Sequence, residues 1–194
     1  TEYGRAFGAM EARLEEAAKT GIDRPASELL EPNGRWNGLL DLAAGVTSVR
    51  DMGNSNQTMQ GLLEDIAAGR ILMPQITPCG FLEGRSPFSS SFGILISTLE
   101  EAKQAVDWYA QRGYPQLKVY NSFPKDILRE TVAYVHSRGM RVSGHVPAFM
   151  RASEVVEQGF DEIQHINQVL LNFLVTPTTE TRTIERFRLP ADKV

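Results

Sequence analysis

The sequence has little of what would indicate a disulfide-stabilised, nucleic-acid-binding or membrane-spanning protein. Its 194 residues contain a single cysteine, Cys79, so no disulfide can form within the chain. Lys and Arg number 20 against 24 Asp and Glu, and the resulting net charge of −4 argues against nucleic acid as a partner. No apolar run approaches about 18 residues, so we expect no membrane span.

Residues 1–194 have the composition of one globular domain. Hydrophobic residues make up 42% of the chain and charged residues 23%, and the length allows one sizeable core but not two ordinary domains. The chain begins at Thr1, its first methionine is Met10, and no signal-peptide pattern precedes the fold. We therefore expect a piece of a longer protein, and the sequence favours neither a cytoplasmic nor an exported location.

The chain repeats one unit: a helical pattern, a glycine and then a run rich in β-branched residues. The glycines are Gly45, Gly69, Gly113, Gly139 and Gly159. The runs that follow them are VTSVRD, ILMPQIT, QLKVY, RVSGHV and EIQHI. Glycine just past a helix adopts the left-handed cap conformation without a steric clash, so it marks a helix end. Short apolar strands that alternate with helices predict an α/β fold with a parallel sheet.

Two architectures fit this alternation, a (β/α)8 TIM-type barrel and an open doubly wound sheet. The open sheet usually carries a glycine-rich phosphate turn after its first strand, and DMGNSNQ at residues 51–57 is not such a turn. A barrel instead places polar functional groups at the carboxyl ends of several different strands. The polar residues at or near the ends of the predicted strands favour the barrel.

Polar side chains occur at or near the ends of four predicted strands. Arg50 ends the first strand and Lys118 lies in the third, with Tyr120 just beyond it. His145 ends the fourth strand and His165 the fifth. Lys118 and His145 are 27 residues apart and His145 and His165 are 20 apart, each about one strand-helix unit. We therefore predict that these side chains converge on one mouth of a barrel.

The stretch GFLEGRSPFSSSFGILIS, residues 80–97, follows the second predicted strand. It is long, rich in glycine and serine, and aromatic. On a barrel, connections of this kind lie over the catalytic face. We predict that residues 80–97 form an active-site loop.

Four motifs resemble segments of the amidohydrolase superfamily, in its imidazolonepropionase-like and prolidase-like branch. LLDLAAGVTSVRDMGN resembles the branch's aGvTtvRD segment, and YPQLKVY resembles its fourth barrel strand. GMRVSGHV and GFDEIQHIN resemble strands five and six, each of which carries one metal-ligand histidine. The motifs occur in the family's order between about residues 39 and 170. The resemblance implies a partial (β/α)8 barrel with strands two to six.

The resemblance also implies a site and an activity. Lys118 corresponds to a carboxylated lysine that bridges two metals, and His145 and His165 correspond to ligands of the second metal. The implied cofactor is a divalent metal, with zinc expected and one or two ions in the intact enzyme. The implied reaction is hydrolysis of an amide or cyclic amide C–N bond in a small-molecule or peptide-like substrate by metal-activated water. Tyr120 and Arg50 are weaker candidates for substrate binding or site support.

The sequence departs from the family's pattern at both ends of the resemblance. The family's first strand carries a His-x-His metal pair, whereas this chain contains only His136, His145 and His165. The aspartate that serves the family as general base lies in a last strand that the resemblance does not reach. We therefore expect the isolated chain to be inactive. We also expect an opened barrel to expose two sheet edges and to form homo-oligomers.

Other readings of the same residues remain open. His145 and His165 can be packed histidines of a non-catalytic α/β domain that acts through self-association. A buried lysine is also a good nucleophile, so Lys118 can serve a metal-free lyase that forms a Schiff base. His136 lies near a predicted helix C-terminus, where a cation interacts favourably with the helix dipole, and we predict a structural role for it.

Overall fold

The computed structural model describes residues 37–191, with side chains through residue 189. The chain divides into two compact units. Within the described residues, the first unit comprises 37–49 and 55–76, and the second comprises 50–54 and 77–191. The single domain over residues 1–194 stays a prediction, because its two ends lie outside the described residues.

The first unit contains a helical segment at residues 37–43 and helix α1, Asn56–Ala67. Ser55 caps α1, since its side chain accepts a hydrogen bond from the Thr58 N–H at 3.0 Å. The backbone N–H of Gln75 donates to the Thr47 carbonyl at 2.9 Å, which joins the beginnings of two strands. Both strands continue into the second unit.

Six strands form one sheet. They are β1 Ser48–Asp51, β2 Gln75–Gly84, β3 Ile94–Ile96, β4 Gln116–Val119, β5 Arg141–Gly144 and β6 Glu162–Ile163. The order is β1-β2-β4-β5-β6, and β3 pairs with the end of β2. The pairs β2–β3, β2–β4, β4–β5 and β5–β6 are parallel. Neighbouring strands therefore follow the chain order, and the α/β prediction of a partial barrel is confirmed as a parallel half-barrel.

The second unit contains five α-helices among the described residues, of which the first three connect strands and the last two follow β6. They are α2 Leu99–Ala110, α3 Leu128–Ser137, α4 Ala152–Glu157, α5 Ile166–Leu170 and α6 Glu185–Ala191, with 3₁₀ turns at Lys125–Ile127 and Leu171–Phe173. Leu117 and Val142 from the strands are fully buried, as are Val106 of α2 and Val135 of α3. The core of this unit therefore lies between the sheet and its helices. No helix in the described part of the chain is long and apolar enough to cross a membrane.

The predicted units of helix, glycine and strand are present. All five helix-ending glycines have positive φ, between 66° at Gly69 and 102° at Gly159. This is the left-handed region that a side chain disfavours, so glycine is required there.

The predicted active-site loop is shorter than residues 80–97. Strand β2 continues through Gly84, and Ile94–Ile96 form β3. The connection proper is therefore residues 85–93. The first residues of the predicted loop belong to β2 because Cys79 to Leu82 pair in register with the whole of β4.

Candidate metal and substrate site

The second unit contains a cavity of about 470 Å³. Its lining residues are Arg50, Asp51, Met52, Gly53, Phe81, Ser90, Phe92, Lys118 and Tyr120. They come from the ends of β1, β2 and β4 and from the connection 85–93. Three of the predicted site residues, Arg50, Lys118 and Tyr120, therefore lie in one cavity wall, as a barrel mouth requires.

Lys118 is a buried amine between aromatic rings. Its side chain is in β4, the residue is 7% exposed, and its register partners are Phe81 on β2 and Ser143 on β5. The Nζ atom lies 5.2 Å from the Tyr120 ring centroid and 5.6 Å from that of Phe81. Desolvation lowers the pKa of the Lys118 amine, and this favours the neutral form.

His145 directly follows β5 and is 4% exposed. Its Nδ1 lies 2.7 Å from Oδ1 of Asn121, which is also buried. An amide oxygen only accepts hydrogen bonds, so Nδ1 carries the ring proton and Nε2 presents a lone pair. Nε2 is itself buried and makes no hydrogen bond to any residue that the structure describes. Burial, with a smaller contribution from the Lys118 charge, lowers the pKa of His145 to about 2.

His165 approaches His145 from the connection after β6. The two ring centroids are 4.9 Å apart and the rings are nearly perpendicular at 80°. Gln164, just before it, donates its backbone N–H to the Gly144 carbonyl at 2.8 Å, which ties this segment to β5. His165 has φ of 66°, a conformation that costs about 1–3 kcal/mol in a residue with a side chain and that often marks a functional site. Desolvation and the Lys118 charge lower the pKa of His165.

Tyr120 connects the cavity to the histidine pair. Its ring centroid is 4.2 Å from that of His145 and 4.9 Å from that of Phe81. The structure thus brings Lys118, Tyr120, His145 and His165 into one continuous cluster, in agreement with the predicted convergence of these residues.

Arg50 makes an ion pair across the half-barrel. Its two terminal nitrogens lie 2.7 and 2.6 Å from the two carboxylate oxygens of Glu162 on β6. Nη1 also donates to Gln116 Oε1 on β4 at 3.4 Å. Both charged side chains are partly exposed, so the pair contributes only about 0–1 kcal/mol. Its geometry links three strands and supports the floor of the cavity.

Glu83 and Asn121 are site residues that the sequence did not identify. Glu83, on β2, has no exposed surface, and its Oε1 accepts backbone N–H bonds from Gly84 and Ser122 at 2.9 and 2.8 Å. Burial raises the pKa of its carboxyl group. A glutamate inside the apolar run GFLEG is the signal that indicates Glu83. Nothing local indicates Asn121, whose role depends on a histidine 24 residues away.

Two other candidates lie outside this chemistry. His136 Nε2 is 3.0 Å from an Asp161 oxygen, which also accepts the Val142 N–H, so His136 has a structural partner. Burial raises the pKa of the Cys79 thiol to about 12, so Cys79 stays protonated and is a poor nucleophile.

No cluster of three or more His, Cys, Asp or Glu side chains is arranged to hold a metal ion in the part of the chain that the structure describes. The candidate set combines two histidines with a lysine, which is not one of those four residue types. Metal binding by Lys118, His145 and His165 therefore stays a prediction.

Comparison with known proteins gives matches in structure alone. No protein-family model matches the sequence. No curated protein matches it significantly. Among solved structures, a bottromycin amidohydrolase aligns with a TM-score of 0.60 at 21% identity over 79% of this chain and 33% of its own. A Xaa-Pro dipeptidase with bound methionine in the active site aligns with a TM-score of 0.59 at 16% identity over 75% and 43%. A molinate hydrolase aligns with a TM-score of 0.57 at 16% identity over 91% and 45%.

These likenesses concern the fold. The half-barrel shares the fold of these three hydrolase structures, in agreement with the fold that the four sequence motifs imply. The chain spans less than half the length of each of these three structures.

Proposed function

We propose that this chain is part of a metal-dependent hydrolase of amide or cyclic amide C–N bonds. The observation that carries the proposal is the buried Nε2 of His145, which has no hydrogen-bond partner among residues 37–189 although its ring is held by Asn121. A buried polar atom without a partner costs about 1–3 kcal/mol unless something binds to it. Its position beside His165 and the Lys118 cavity supports a bound ligand there.

The side chains fit a divalent metal. Neutral imidazole is the form that binds metal, and a ligating histidine usually donates its other ring nitrogen to a fixed acceptor. His145 meets both conditions through its lowered pKa and its Asn121 partner. We propose that His145, His165 and Lys118 hold the metal, with zinc expected because it prefers nitrogen ligands.

Lys118 supplies an oxygen ligand in this proposal. Desolvation favours the neutral amine, which can capture carbon dioxide as a carbamate. The aromatic rings of Phe81 and Tyr120 exclude water from the amine. Carboxylation of Lys118 would thus convert a neutral amine into an anion that binds metal, with one proton released to solvent.

The cavity suits a small-molecule or peptide-like amide substrate. Phe81, Phe92 and Tyr120 offer apolar walls to the substrate, and Ser90 offers a polar group. A bound divalent ion supplies the acid chemistry of hydrolysis, since it lowers the pKa of water and polarises a carbonyl. Arg50, which is already paired with Glu162, supports the cavity rather than binding a substrate charge.

The isolated chain is expected to bind metal without completing the reaction. The chain spans 33–45% of the three solved hydrolase structures, and the family's general base has no counterpart in the matched motifs. Turnover then requires a longer chain that includes this segment. The proposed hydrolysis can be tested with such a longer chain. The assay follows the formation of free amine from dipeptides, N-acyl amino acids and ring amides.

Zinc titration of this chain tests the proposed binding of metal by His145, His165 and Lys118. We expect about one zinc ion per chain and loss of most of the affinity in His145→Ala and His165→Ala, because each removes one ligand. His136→Ala is the matched control, since His136 pairs with Asp161 and should leave zinc binding unchanged. Zinc binding that is equal in all four proteins would contradict the assignment.

The Schiff-base lyase reading is tested on the same protein. That reading requires borohydride to trap a carbonyl compound covalently on Lys118. It leaves the histidine pair without a role, whereas the metal site uses both rings. We expect no trapping on Lys118, and trapping without zinc affinity would replace the hydrolase proposal with the lyase.

A further inference from the structure

Glu83 is a buried carboxylate that the proposed reaction does not use. It has no exposed surface, and its Oε1 accepts the N–H groups of Gly84 and Ser122. Its Oε2 accepts the Ser90 N–H in a longer contact of 3.4 Å. Burying a carboxylate is costly unless hydrogen bonds compensate, so these three donors fix its position.

The three donors belong to three segments that meet at the cavity. Gly84 ends β2, Ser122 follows the cavity residue Tyr120 by two positions, and Ser90 is itself a cavity wall in the connection 85–93. Glu83 therefore joins segments that supply residues to the cavity lining. Its carboxylate is hydrogen-bonded to Ser90 in the connection 85–93 and to Gly84 and Ser122 at the strand ends.

Further bonds hold the base of this connection, and on its cavity side the Phe92 N–H donates to the Ser90 hydroxyl at 3.2 Å. The Ser89 hydroxyl donates to the Gly84 carbonyl at 2.5 Å, and the hydroxyls of Ser86 and Ser122 lie 2.7 Å apart. At Gly84 an added Cβ would lie 1.9 Å from the Ser122 carbonyl oxygen, so these two segments are in close contact. Ser90 is joined to the strand ends through Glu83.

We propose that Glu83 is a positioning residue that holds the connection 85–93 in place as a wall of the Lys118 cavity. It acts on access to the Lys118 amine and does not touch a substrate. Glu83 would hold this wall of the cavity whether or not the site binds metal or hydrolyses amides.

The variant Glu83→Gln tests this role on the full chain, freed of metal by a chelator. Glutamine keeps one acceptor oxygen for Gly84 and Ser122, but its amide N–H₂ cannot accept the Ser90 N–H. We expect hydrogen exchange in residues 85–93 and acetylation of Lys118 by an N-hydroxysuccinimide ester to become about tenfold faster. Glu130→Gln on the exposed face of α3 is the matched control and should change neither rate.

A second pair of variants leaves Glu83 in place. Ser90→Pro removes the N–H that Glu83 binds, whereas Ser90→Ala keeps it. We expect Ser90→Pro to speed Lys118 acetylation as Glu83→Gln does, and Ser90→Ala, which loses only the hydroxyl that accepts the Phe92 N–H, to speed it less. Unchanged acetylation in both Glu83→Gln and Ser90→Pro would overturn the inference. So would exchange that rises equally in all strands, since Glu83 would then serve the core alone. If Glu83→Gln fails to fold, the acetylation rates of Ser90→Pro and Ser90→Ala test the role of Glu83.

Discussion

Loss of water determines the chemistry of the three buried ionisable side chains at the strand ends. Lys118, His145 and Glu83 are 7%, 4% and 0% exposed. Burial disfavours charge, so it lowers the pKa of Lys118 and His145 and raises that of Glu83. A neutral amine and a neutral imidazole are the forms from which a metal site is built.

Asn121 is expected to set the metal affinity of His145 through the ring tautomer. Asn121→Ala removes the acceptor for Nδ1–H, so the ring is no longer held with its Nε2 lone pair toward the site. We expect zinc affinity to fall about 10–100-fold. Asn121→Asp keeps an acceptor oxygen and should retain the affinity. Zinc titration gives the affinities and nitrogen NMR of His145 gives the tautomer. An Nδ1–H tautomer that survives in Asn121→Ala would contradict this role.

Glu83 is expected to give the stability of the fold a specific pH dependence. Its folded pKa is raised above the ordinary value of 4.5, mainly by burial, and the backbone hydrogen bonds that it accepts oppose the shift. Its contribution to stability is therefore fully present below pH 4.5 and is lost as the pH rises through the folded pKa. Over this pH window the free energy of unfolding of the wild type, measured in urea, should fall relative to that of Glu83→Gln. The expected fall is at most about 1.4 kcal/mol per pH unit. Parallel stability curves for the two proteins would refute the shift.

The sequence predicted the ionisable residues of the site better than their partners. Lys118, His145 and His165 are conspicuous because each interrupts or ends a β-branched run. Asn121 and Glu83 act through partners 24 and 39 residues away, which no local pattern reveals. The apolar run GFLEG could have indicated Glu83, whereas only the structure identifies Asn121.

At the scale of elements, glycines set how closely the strands and their loops approach. Gly144, just before His145, has φ of 136°, and a Cβ there would lie 2.1 Å from the Val119 carbonyl oxygen. The His145 N–H donates to that same oxygen at 3.0 Å. The close approach of β5 to β4 therefore fixes the backbone from which the His145 ring projects.

Gly144→Ala is expected to destabilise the protein by about 3 kcal/mol or more, because the clash is with backbone and φ is unfavourable. Gly61→Ala is the control, since a Cβ at this helical position meets nothing within 4 Å. It should stabilise the protein by about 0.5–1 kcal/mol. Urea unfolding measures both. A Gly144→Ala protein as stable as the wild type would mean that β4 and β5 are not this close.

Element positions were predictable where local chemistry decides them and not where tertiary contacts do. The prediction that five glycines end helices is confirmed, because the left-handed conformation that ends a helix is a local property of the backbone. The second strand was placed too early, since the apolar Leu72 is 70% exposed and β2 begins at Gln75. Gly80 and Glu83 look like loop residues in the sequence. They lie in β2 because the Tyr109 ring occupies the space beside Gly80 and backbone N–H groups bind Glu83.

At the scale of the whole molecule, the fold class followed from the alternation of strands and helices, and the motifs gave its type. What the sequence could not supply is the pairing across the half-barrel, such as Arg50 with Glu162 over 112 residues. That pair depends on the curvature of the sheet, to which every strand contributes. Among the described residues, the path of the sheet ends at β1 and β6, so this curvature does not continue to a closed barrel.

The apolar surface near β6 is expected to promote self-association. Ile166, Phe173 and Ile184 are 73%, 79% and 59% exposed in the elements that follow this strand. Exposed apolar groups beside a sheet edge favour contact with another chain. Sedimentation velocity should show association as concentration rises, weakened by Phe173→Ser. Leu72→Ser, at an equally exposed site of the first unit, should have little effect. A wild-type chain that stays monomeric throughout would contradict this expectation.

The most direct test of the metal site is anomalous diffraction at the zinc edge from crystals of the zinc-loaded chain. We expect one strong peak within about 2.0–2.1 Å of His145 Nε2, the usual zinc–nitrogen distance, and its loss in His145→Ala. Such a peak would give a ligand to the buried nitrogen that no described residue binds. Zinc bound elsewhere, or no peak beside His145, would contradict the claim that these strand ends form a metal site.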